Sequence, residues 1–477
     1  MDYPHPPHGT ETETDAAPAV PLPPPTTLPE PVLQPRRSRK KWLLGLGGLA
    51  LLALVLLGVW VLLAYNAIRT TVERTPLEIP LVAQEPLGNQ IAFVGNDFNV
   101  WLVSPGGNNL RRLTQDGQGY RFPTWSPDGR QLAFIGRDET SISVLYVAAT
   151  GGGKPQIVYR QPNSPPFYLY WSPDSRHITF LTQESTDIAM RIADTAGEDS
   201  PRILERGAPF YWVWSPASDR LLMHVGGSRA ASADAHLSMM ANQLDAAREP
   251  LDDAPGRFQA PLWSSTGSHV FYIAENEGGS ESIFRAEADT LAAQEVVPLR
   301  GFAHMVLAPD DRHIAYLQYE AGTRPPFGRA YLVGADGQES RQLTNSLVAS
   351  IYWSPDGKKL ALLTLNRPSE GPTARAAGLA SPLPQEFTLR WWIYNLETEE
   401  LAPLVSFAPT INFLQTIPYF DQYHLSLTFW SPDSRYLVVT KKLDEGSAAG
   451  SVWVVDTTGQ EEPRKVGDGS LAVWSWQ

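Results

Sequence analysis

The chain has 477 residues, of which 38 are basic and 51 acidic, so its formal net charge is −13. With 43% hydrophobic and 19% charged residues it can bury a large core, which excludes a chain that is disordered throughout. Cysteine is absent, which excludes disulfides, thiolate zinc sites and cysteine nucleophiles. The 42 prolines, 37 glycines and 15 tryptophans favour many short strands joined by tight turns.

The first 41 residues form a proline-rich tail that ends in a basic cluster. Residues 1–35 contain 11 prolines and few large apolar side chains, so they cannot bury enough surface to offset the entropy of ordering. We therefore expect residues 1–41 to be disordered, with polyproline II character. The tail is either a ligand for a proline-binding module or, more simply, a solvated spacer.

An uncharged apolar run from Trp42 to Tyr65 follows the basic cluster at residues 36–41. As a helix with a rise of about 1.5 Å per residue, residues 42–65 would span about 36 Å, enough to cross a hydrocarbon core of about 30 Å. The sequence therefore predicts one transmembrane helix at 42–65 and a linker at 66–87. Because the basic cluster precedes the helix, the positive-inside rule leaves the N-terminal tail in the cytoplasm and exports everything after residue 66.

The predicted exported part carries all of the net negative charge, because the tail holds five acidic and five basic residues. A phosphate backbone requires a cationic surface, so this charge argues against a nucleic-acid partner. The simplest interpretation of the acidic surface is solubility.

One motif organises residues 88–477. A Trp-Ser-Pro-Asp sequence, or a close variant of it, recurs at spacings of 46, 43, 49, 44, 46 and 77 residues. Its lead residues are Trp125, Trp171, Trp214, Trp263, Leu307, Trp353 and Trp430, and Trp474 continues the series 44 residues later. Repeats of this length are typical of solenoids, propellers and arrays.

The sequence of one repeat selects the propeller. Ser-Pro-Asp-Gly favours a tight turn, and apolar runs on either side of it predict two antiparallel strands, A and B. Two further short runs predict strands C and D, and four antiparallel strands repeated radially are typical of a β-propeller blade. The repeated aspartates share one turn position, which indicates a structural role rather than catalysis. They are Asp128, Asp174, Asp310, Asp356 and Asp433.

The two ends of the repeat region complete each other. Residues 90–117 contain B, C and D strands without an A strand, and residues 471–477 read as an A strand with nothing after it. We therefore expect the C-terminal strand to close the ring by joining the first three strands. This gives an all-β propeller with eight blades over residues 88–477, or seven if the repeat at Leu307 or at Trp353 is not a blade.

Trp125-Ser126-Pro127-Asp128-Gly129, followed by a polar pair and Leu-Ala-Phe, resembles the repeat of TolB-like propellers. Similar repeats occur in WD-repeat-like propellers and in the propellers of prolyl-oligopeptidase-type peptidases. The resemblance covers about residues 88–477 and implies a fold but not a function, because scaffolds, sensors and substrate-gating domains share the repeat.

No catalytic motif accompanies the repeats. The sequence has no Gly-x-Ser-x-Gly elbow, no P-loop and no dinucleotide-binding fingerprint. His177, His269 and His313 share one repeat position, so blade symmetry would spread them around the ring rather than gather them at a metal. We expect no catalytic residue, no cofactor and no metal site.

Two insertions explain the stretched 77-residue spacing. Residues 366–388 separate strands B and C, and residues 407–424 separate strand D from the next strand A, which places both on one face of the ring. The second insertion carries large aromatic side chains of the kind that anchor interfaces. They are Phe407, Phe413, Tyr419, Phe420 and Tyr423. Two interpretations stay open: these residues bind a partner, or they plug the central channel.

The function that we favour from the sequence is a single-pass, membrane-anchored propeller that displays a binding face outside the cytoplasmic membrane. Its partner would be a protein, a peptide or a component of the cell envelope. The alternatives are an extracytoplasmic enzyme acting on glycans or peptides at the mouth of the channel, and a sensor that signals through the helix.

Overall fold

Eight antiparallel sheets make up the part of the chain that the computed structural model describes, which is residues 88–477 except 198, 258, 320–325, 367–386 and 445–446. Seven sheets have four strands and one has three. The predicted tail, transmembrane helix and linker (residues 1–87) lie outside the described residues. Within the described ranges, no helix is both long enough and apolar enough to cross a bilayer.

Each sheet is one blade, and the blades are numbered along the chain. Blade 1 contains β1 (Ile91–Gly95), β2 (Val100–Val103), β3 (Arg111–Arg112) and β31 (Gly469–Trp474). Blade 2 contains β4 (Arg121–Trp125), β5 (Gln131–Arg137), β6 (Ser143–Ala149) and β7 (Gln156–Arg160). Blade 3 contains β8 (Pro166–Trp171), β9 (His177–Gln183), β10 (Ile188–Asp194) and β11 (Arg202–Gly207). Blade 4 contains β12 (Phe210–Trp214), β13 (Arg220–Val225), β14 (His236–Ala241) and β15 (Arg248–Pro250).

The remaining blades follow the same order. Blade 5 contains β16 (Leu262–Trp263), β17 (His269–Glu275), β18 (Glu281–Glu287) and β19 (Ala293–Pro298). Blade 6 contains β20 (Phe302–Leu307), β21 (His313–Tyr319), β22 (Arg329–Gly334) and β23 (Arg341–Gln342). Blade 7 contains β24 (Val348–Trp353), β25 (Lys359–Leu365), β26 (Leu389–Asn395) and β27 (Leu401–Phe407). Blade 8 contains β28 (Tyr436–Lys442), β29 (Gly450–Asp456) and β30 (Arg464–Gly467).

Burial along the strands shows how each blade is oriented. Strand B of blade 2 is buried over its five central residues, because neighbouring blades cover both of its faces. Strand D of blade 5 is mostly exposed, so the D strands form the outer rim. The A strands of neighbouring blades lie against one another and therefore surround the centre of the ring.

The Ser-Pro-Asp turn is held by hydrogen bonds within the motif. In blade 2, Ser126 Oγ donates to Asp128 Oδ1 at 2.6 Å. Asp128 Oδ1 also accepts from the Arg130 N–H at 3.0 Å. Gly129 has a φ of 68°, which glycine adopts without strain. The backbone N–H of Asp128 donates to Ser175 Oγ in the turn of blade 3 at 3.1 Å. The repeated motif therefore builds its own turn and also contacts the next blade.

The lead tryptophans connect neighbouring blades. In four blades the indole N–H donates to the backbone carbonyl one residue before the lead residue of the preceding blade. These bonds join Trp125 to Val473, Trp171 to Thr124, Trp353 to Val306 and Trp430 to Tyr352, at 3.3, 3.1, 3.2 and 3.2 Å. Trp214 instead donates to Thr179 Oγ1, and Trp263 donates within its own turn to the Gly267 carbonyl.

The predicted closure of the ring is confirmed. β31 pairs antiparallel with β1, with Ala472 opposite Phe93 and Trp474 opposite Ile91. The closing strand begins at Gly469 and ends at Trp474, so it lies two to three residues earlier than the predicted span of 471–477. The eight-bladed prediction is correct, and the repeat at Leu307 forms a complete blade.

Blade 8 departs from the pattern because its strand A is interrupted. Pro409 bridges to Lys441 and Trp430 bridges to Leu437, which are the two ends of a normal A–B pairing. Between these bridges lie helix α1 (Ile411–Leu414), a 3₁₀ turn (Ile417–Tyr419) and helix α2 (Phe420–Tyr423). We call residues 410–428 the central insertion. The sequence placed this insertion before strand A, whereas the structure places it within the strand.

We expect that deleting residues 469–477 opens blade 1 and lowers the thermal unfolding temperature of the whole ring, because β1 loses its partner. Circular dichroism during heating measures the change. A chain truncated after Ser475 keeps β31 and serves as the control. Unchanged melting of the 469–477 deletion would contradict closure as a requirement for stability.

Candidate functional site

The central insertion contacts all eight blades, which places it at the centre of the ring. Its partners come from the innermost segment of each blade, through hydrogen bonds or ring contacts. In blade order they are Ser470, Thr124, Tyr168, Trp212, Ala260, His304, Tyr352 and Phe429. The sequence left undecided whether the aromatic residues of this insertion bind a partner or plug the channel. In the structure, the chain itself occupies the channel.

Gln422 of α2 makes the densest set of polar contacts. Its side-chain Oε1 accepts from the Trp212 N–H at 3.0 Å, and its Nε2 donates to the Trp212 carbonyl at 3.0 Å. The Gln422 amide also lies 3.2 Å from the Tyr168 hydroxyl, which donates to the Gln422 backbone carbonyl at 3.1 Å. All three residues are buried, so these bonds satisfy an A strand edge that would otherwise face the channel.

Asp421 is a fully buried carboxylate beside Gln422. Its Oδ2 accepts from the Ala260 N–H at 2.9 Å, and its Oδ1 has no hydrogen-bond partner among the described residues. Phe420, also fully buried, makes edge-to-face contacts with His304 and Tyr352, at ring separations of 5.6 and 6.2 Å. α2 therefore makes both polar and aromatic contacts with the surrounding blades.

The two ends of the insertion are held at opposite faces of the ring. Near its start, Thr410 Oγ1 donates to the Ser470 carbonyl, and Asn412 Nδ2 donates to Ser470 Oγ at 2.7 Å. Near its end, the Ser426 carbonyl accepts from Thr124 Oγ1. Ser470 lies at the start of its A strand and Thr124 near the end of its own, so the insertion runs through the channel.

Three of the five candidate partner-binding residues are buried. Phe407 and Phe413 contact each other at a ring separation of 5.7 Å, and Phe420 has no exposed surface. Tyr423 is partly buried against Tyr168, at 4.9 Å between ring centres. Tyr419 differs, because 47% of it is exposed. The structure thus brings all five into or beside the insertion, and their role in partner binding stays a prediction.

Exposed apolar side chains occur in connections of blades 6 to 8 and in the central insertion. We call them the apolar surface: Leu347, Phe387, Ile411, Tyr419 and Leu443, which are 39% to 56% exposed. Leu347 lies in a D–A connection, while Phe387 and Leu443 lie in B–C connections. Ile411 begins α1, next to the Ser470 contact at the same face. Among these residues, the sequence singled out only Tyr419, because isolated aliphatic loop residues carry no periodic signal.

Three histidines lie around α2, two of them buried and His424 partly buried, and desolvation lowers the pKa of each imidazole. They are His224, His304 and His424. The negative charge of Asp421 opposes this effect at all three, but burial is the larger cause. The same burial raises the pKa of Tyr211 and Tyr319. The centre of the ring therefore favours neutral imidazole and phenol side chains.

No group of three or more histidine, aspartate or glutamate side chains within the described ranges is arranged to hold a metal ion. The expected absence of cofactors and catalytic residues stays a prediction.

No protein-family model and no curated protein matches the chain. Among solved structures, the dihydro-heme d1 dehydrogenase NirN in complex with DHE has a TM-score of 0.51 and 14% identity, and the match covers 85% of this chain and 77% of NirN. TolB from Acinetobacter baumannii has a TM-score of 0.35 and 13% identity, over 54% of this chain and 63% of TolB. An oligogalacturonate lyase in complex with manganese has a TM-score of 0.45 and 13% identity, over 70% of this chain and 84% of the lyase.

These comparisons concern the fold alone. This chain spans less than two thirds of the length of the Acinetobacter TolB that it matches. The described part of the chain is an eight-bladed β-propeller, as the sequence predicted, and its Trp-Ser-Pro-Asp turns resemble those of TolB-like propellers.

We expect Gln422→Ala to lower the free energy of unfolding by about 2–4 kcal/mol, because it leaves the buried N–H and carbonyl of Trp212 without partners. Urea-induced unfolding followed by tryptophan fluorescence measures the change. Tyr419→Ala, in the same insertion but exposed, is the matched control and should change stability by less than about 0.5 kcal/mol. Equal effects of the two substitutions would argue against a structural role for Gln422.

The ring should lose stability as the pH falls. A histidine whose pKa is lower in the folded state binds a proton more readily when unfolded, so its contribution is complete above the unfolded pKa of about 6.5 and declines below it. Replacing His304 with glutamine should reduce the slope of unfolding free energy against pH by up to about 1.4 kcal/mol per pH unit in this range. Urea titrations at a series of pH values measure the slope, and identical slopes for both proteins would contradict the prediction.

Proposed function

We propose that the chain is a non-catalytic binding scaffold that presents its propeller to a protein or peptide partner outside the cytoplasmic membrane. The observation that carries this proposal is the occupied centre of the ring. Enzymes use concave active sites, and the alternative function placed its active site at the mouth of the channel. The central insertion fills that position with buried side chains from its own sequence.

The apolar surface supports a macromolecular partner. Large exposed apolar residues that cluster on one face are typical of interaction sites, and aromatic residues often provide the strongest contacts. Tyr419 and Ile411 belong to a segment that is anchored to every blade, so they are presented on a rigid base. A rigid surface loses little conformational entropy on binding.

The sequence supports the proposed location. Residues 42–65 have the length and composition of a membrane span, and the basic cluster at residues 36–41 precedes them. In this arrangement the propeller lies on the outer side of the cytoplasmic membrane. Protein, peptide and cell-envelope partners are all accessible there.

The double substitution Ile411→Ser and Tyr419→Ser should abolish capture of the partner, because it removes two apolar contacts from the proposed interface. The test is affinity capture from the membrane and envelope fraction with the full-length chain in detergent, followed by identification of the retained proteins. Leu244→Ser is the matched control, since Leu244 is 77% exposed in a C–D connection at the opposite face.

The proposal requires at least one protein that the wild type and the Leu244 variant retain and the double variant loses. Equal retention by all three chains would contradict the proposed surface. Melting temperatures within a few degrees of the wild type would show that the double variant is folded.

A further inference from the structure

A cleft opens between blades 3 and 4, on the face that carries the B–C and D–A connections. Its volume is about 660 Å³, which is within the usual range for small-molecule sites. It is bordered by the end of β11, the start of β14, β15 and the loop at residues 226–235. This cleft is separate from the central insertion and from the apolar surface, which lies on blades 6 to 8.

Three arginines and a histidine line the cleft: Arg206, Arg229, Arg248 and His236. Arg206 Nη1 lies 3.5 Å from Asp187 Oδ1, and Arg248 Nη1 lies 2.8 Å from Glu205 Oε2. Each guanidinium has five N–H donors, so these ion pairs leave most donors of both groups available. The concentration of guanidinium groups contrasts with the net charge of −13 of the chain.

Two backbone features hold the cleft in shape. Gly226 has a φ of 84°, and a Cβ placed on it would lie 3.0 Å from the Cα of Ala235, so the two ends of the loop touch. The Gly226 N–H also donates to the Pro209 carbonyl at 2.9 Å, which fastens the loop to the D–A connection. This closed base presents Arg229, at the exposed part of the loop, beside the other two arginines.

His236 orients Arg248. Its Nδ1 lies 2.8 Å from the Asp234 carbonyl, which can only accept, so Nδ1 carries the proton and Nε2 is free to accept. Arg248 Nη1 lies 3.0 Å from that Nε2. Nη1 of Arg248 is therefore held by both Glu205 and His236, and these contacts leave the Nε and Nη2 donors unused.

We propose that this cleft binds a small anionic ligand through a carboxylate or phosphate group. Guanidinium donors match the paired oxygens of both groups, and Arg206, Arg229 and Arg248 supply them from three separate elements. The acidic groups near them are Asp187, Glu205 and Asp234, of which the first two pair with Arg206 and Arg248. The three arginines and these three acidic groups balance in formal charge, so the ligand is recognised by guanidinium donors that the ion pairs leave unused, and Arg229 has no ion pair among the described residues.

The test is isothermal titration of the full-length chain in detergent with inorganic phosphate and, separately, with citrate as the carboxylate probe. We expect saturable binding of one probe at millimolar concentration or tighter, weakened by added chloride. Preference for phosphate or for citrate identifies the group that the cleft recognises.

Arg229→Gln should weaken binding about tenfold, the effect of losing one charge-assisted contact. Arg130→Gln is the matched control, because Arg130 is an exposed arginine in the A–B turn at the opposite face. A second variant, Arg206→Gln, should also weaken binding. Because Arg206 lies in β11 and not in the loop, this variant separates loss of a ligand contact from a change in loop conformation. Failure of both probes to bind saturably, or equal binding by the Arg229 and Arg130 variants, would overturn the proposal.

Discussion

The ring depends on contact between the innermost strands of neighbouring blades. A four-stranded sheet of this size cannot bury both faces alone, so each blade needs the next one. The lead tryptophan supplies both a large apolar surface and one directional bond, as when Trp171 donates to the Thr124 carbonyl of the preceding blade. Ser175 adds a second connection by accepting from the Asp128 N–H at the turn. Repetition of these contacts accounts for the regular spacing of the motif.

In the same arrangement, backbone groups at the centre of the ring need hydrogen-bond partners. An innermost strand pairs on one edge only, so backbone groups on its other edge face the channel and require partners. In blade 4 the N–H and carbonyl of Trp212 are satisfied by Gln422, and in blade 5 the Ala260 N–H is satisfied by Asp421. The central insertion therefore supplies the inner strand edges with hydrogen-bond partners, which water would supply in an open channel. It also gives the apolar surface a rigid foundation.

Much of the fold was predictable from the sequence, because each repeat carries its own turn, lead residue and strand pattern. Closure was predictable too, since Trp474 continues the spacing and residues 90–117 lack a strand A. The path of the central insertion through the channel was not predictable from the sequence. Its partners, such as Tyr168 and Trp212, lie more than 200 residues away along the chain, and no local pattern encodes such contacts. Phe413 and Phe420 suit an interface and a core equally well, so composition left the two interpretations open.

Interruption of the inner strand of blade 8 affects the order in which the molecule can be assembled. Residues 410–428 touch segments from every other blade, so they reach their final positions only after blades 2 to 7 exist as neighbours. The first three strands stay without their partner until β31, which follows every other strand of the ring in the sequence, has been synthesised. During synthesis the blades therefore form an open arc with an unfilled centre until β31 is available to close the ring. Such late, distant pairings slow maturation and lengthen the time for which apolar edges need protection from other chains.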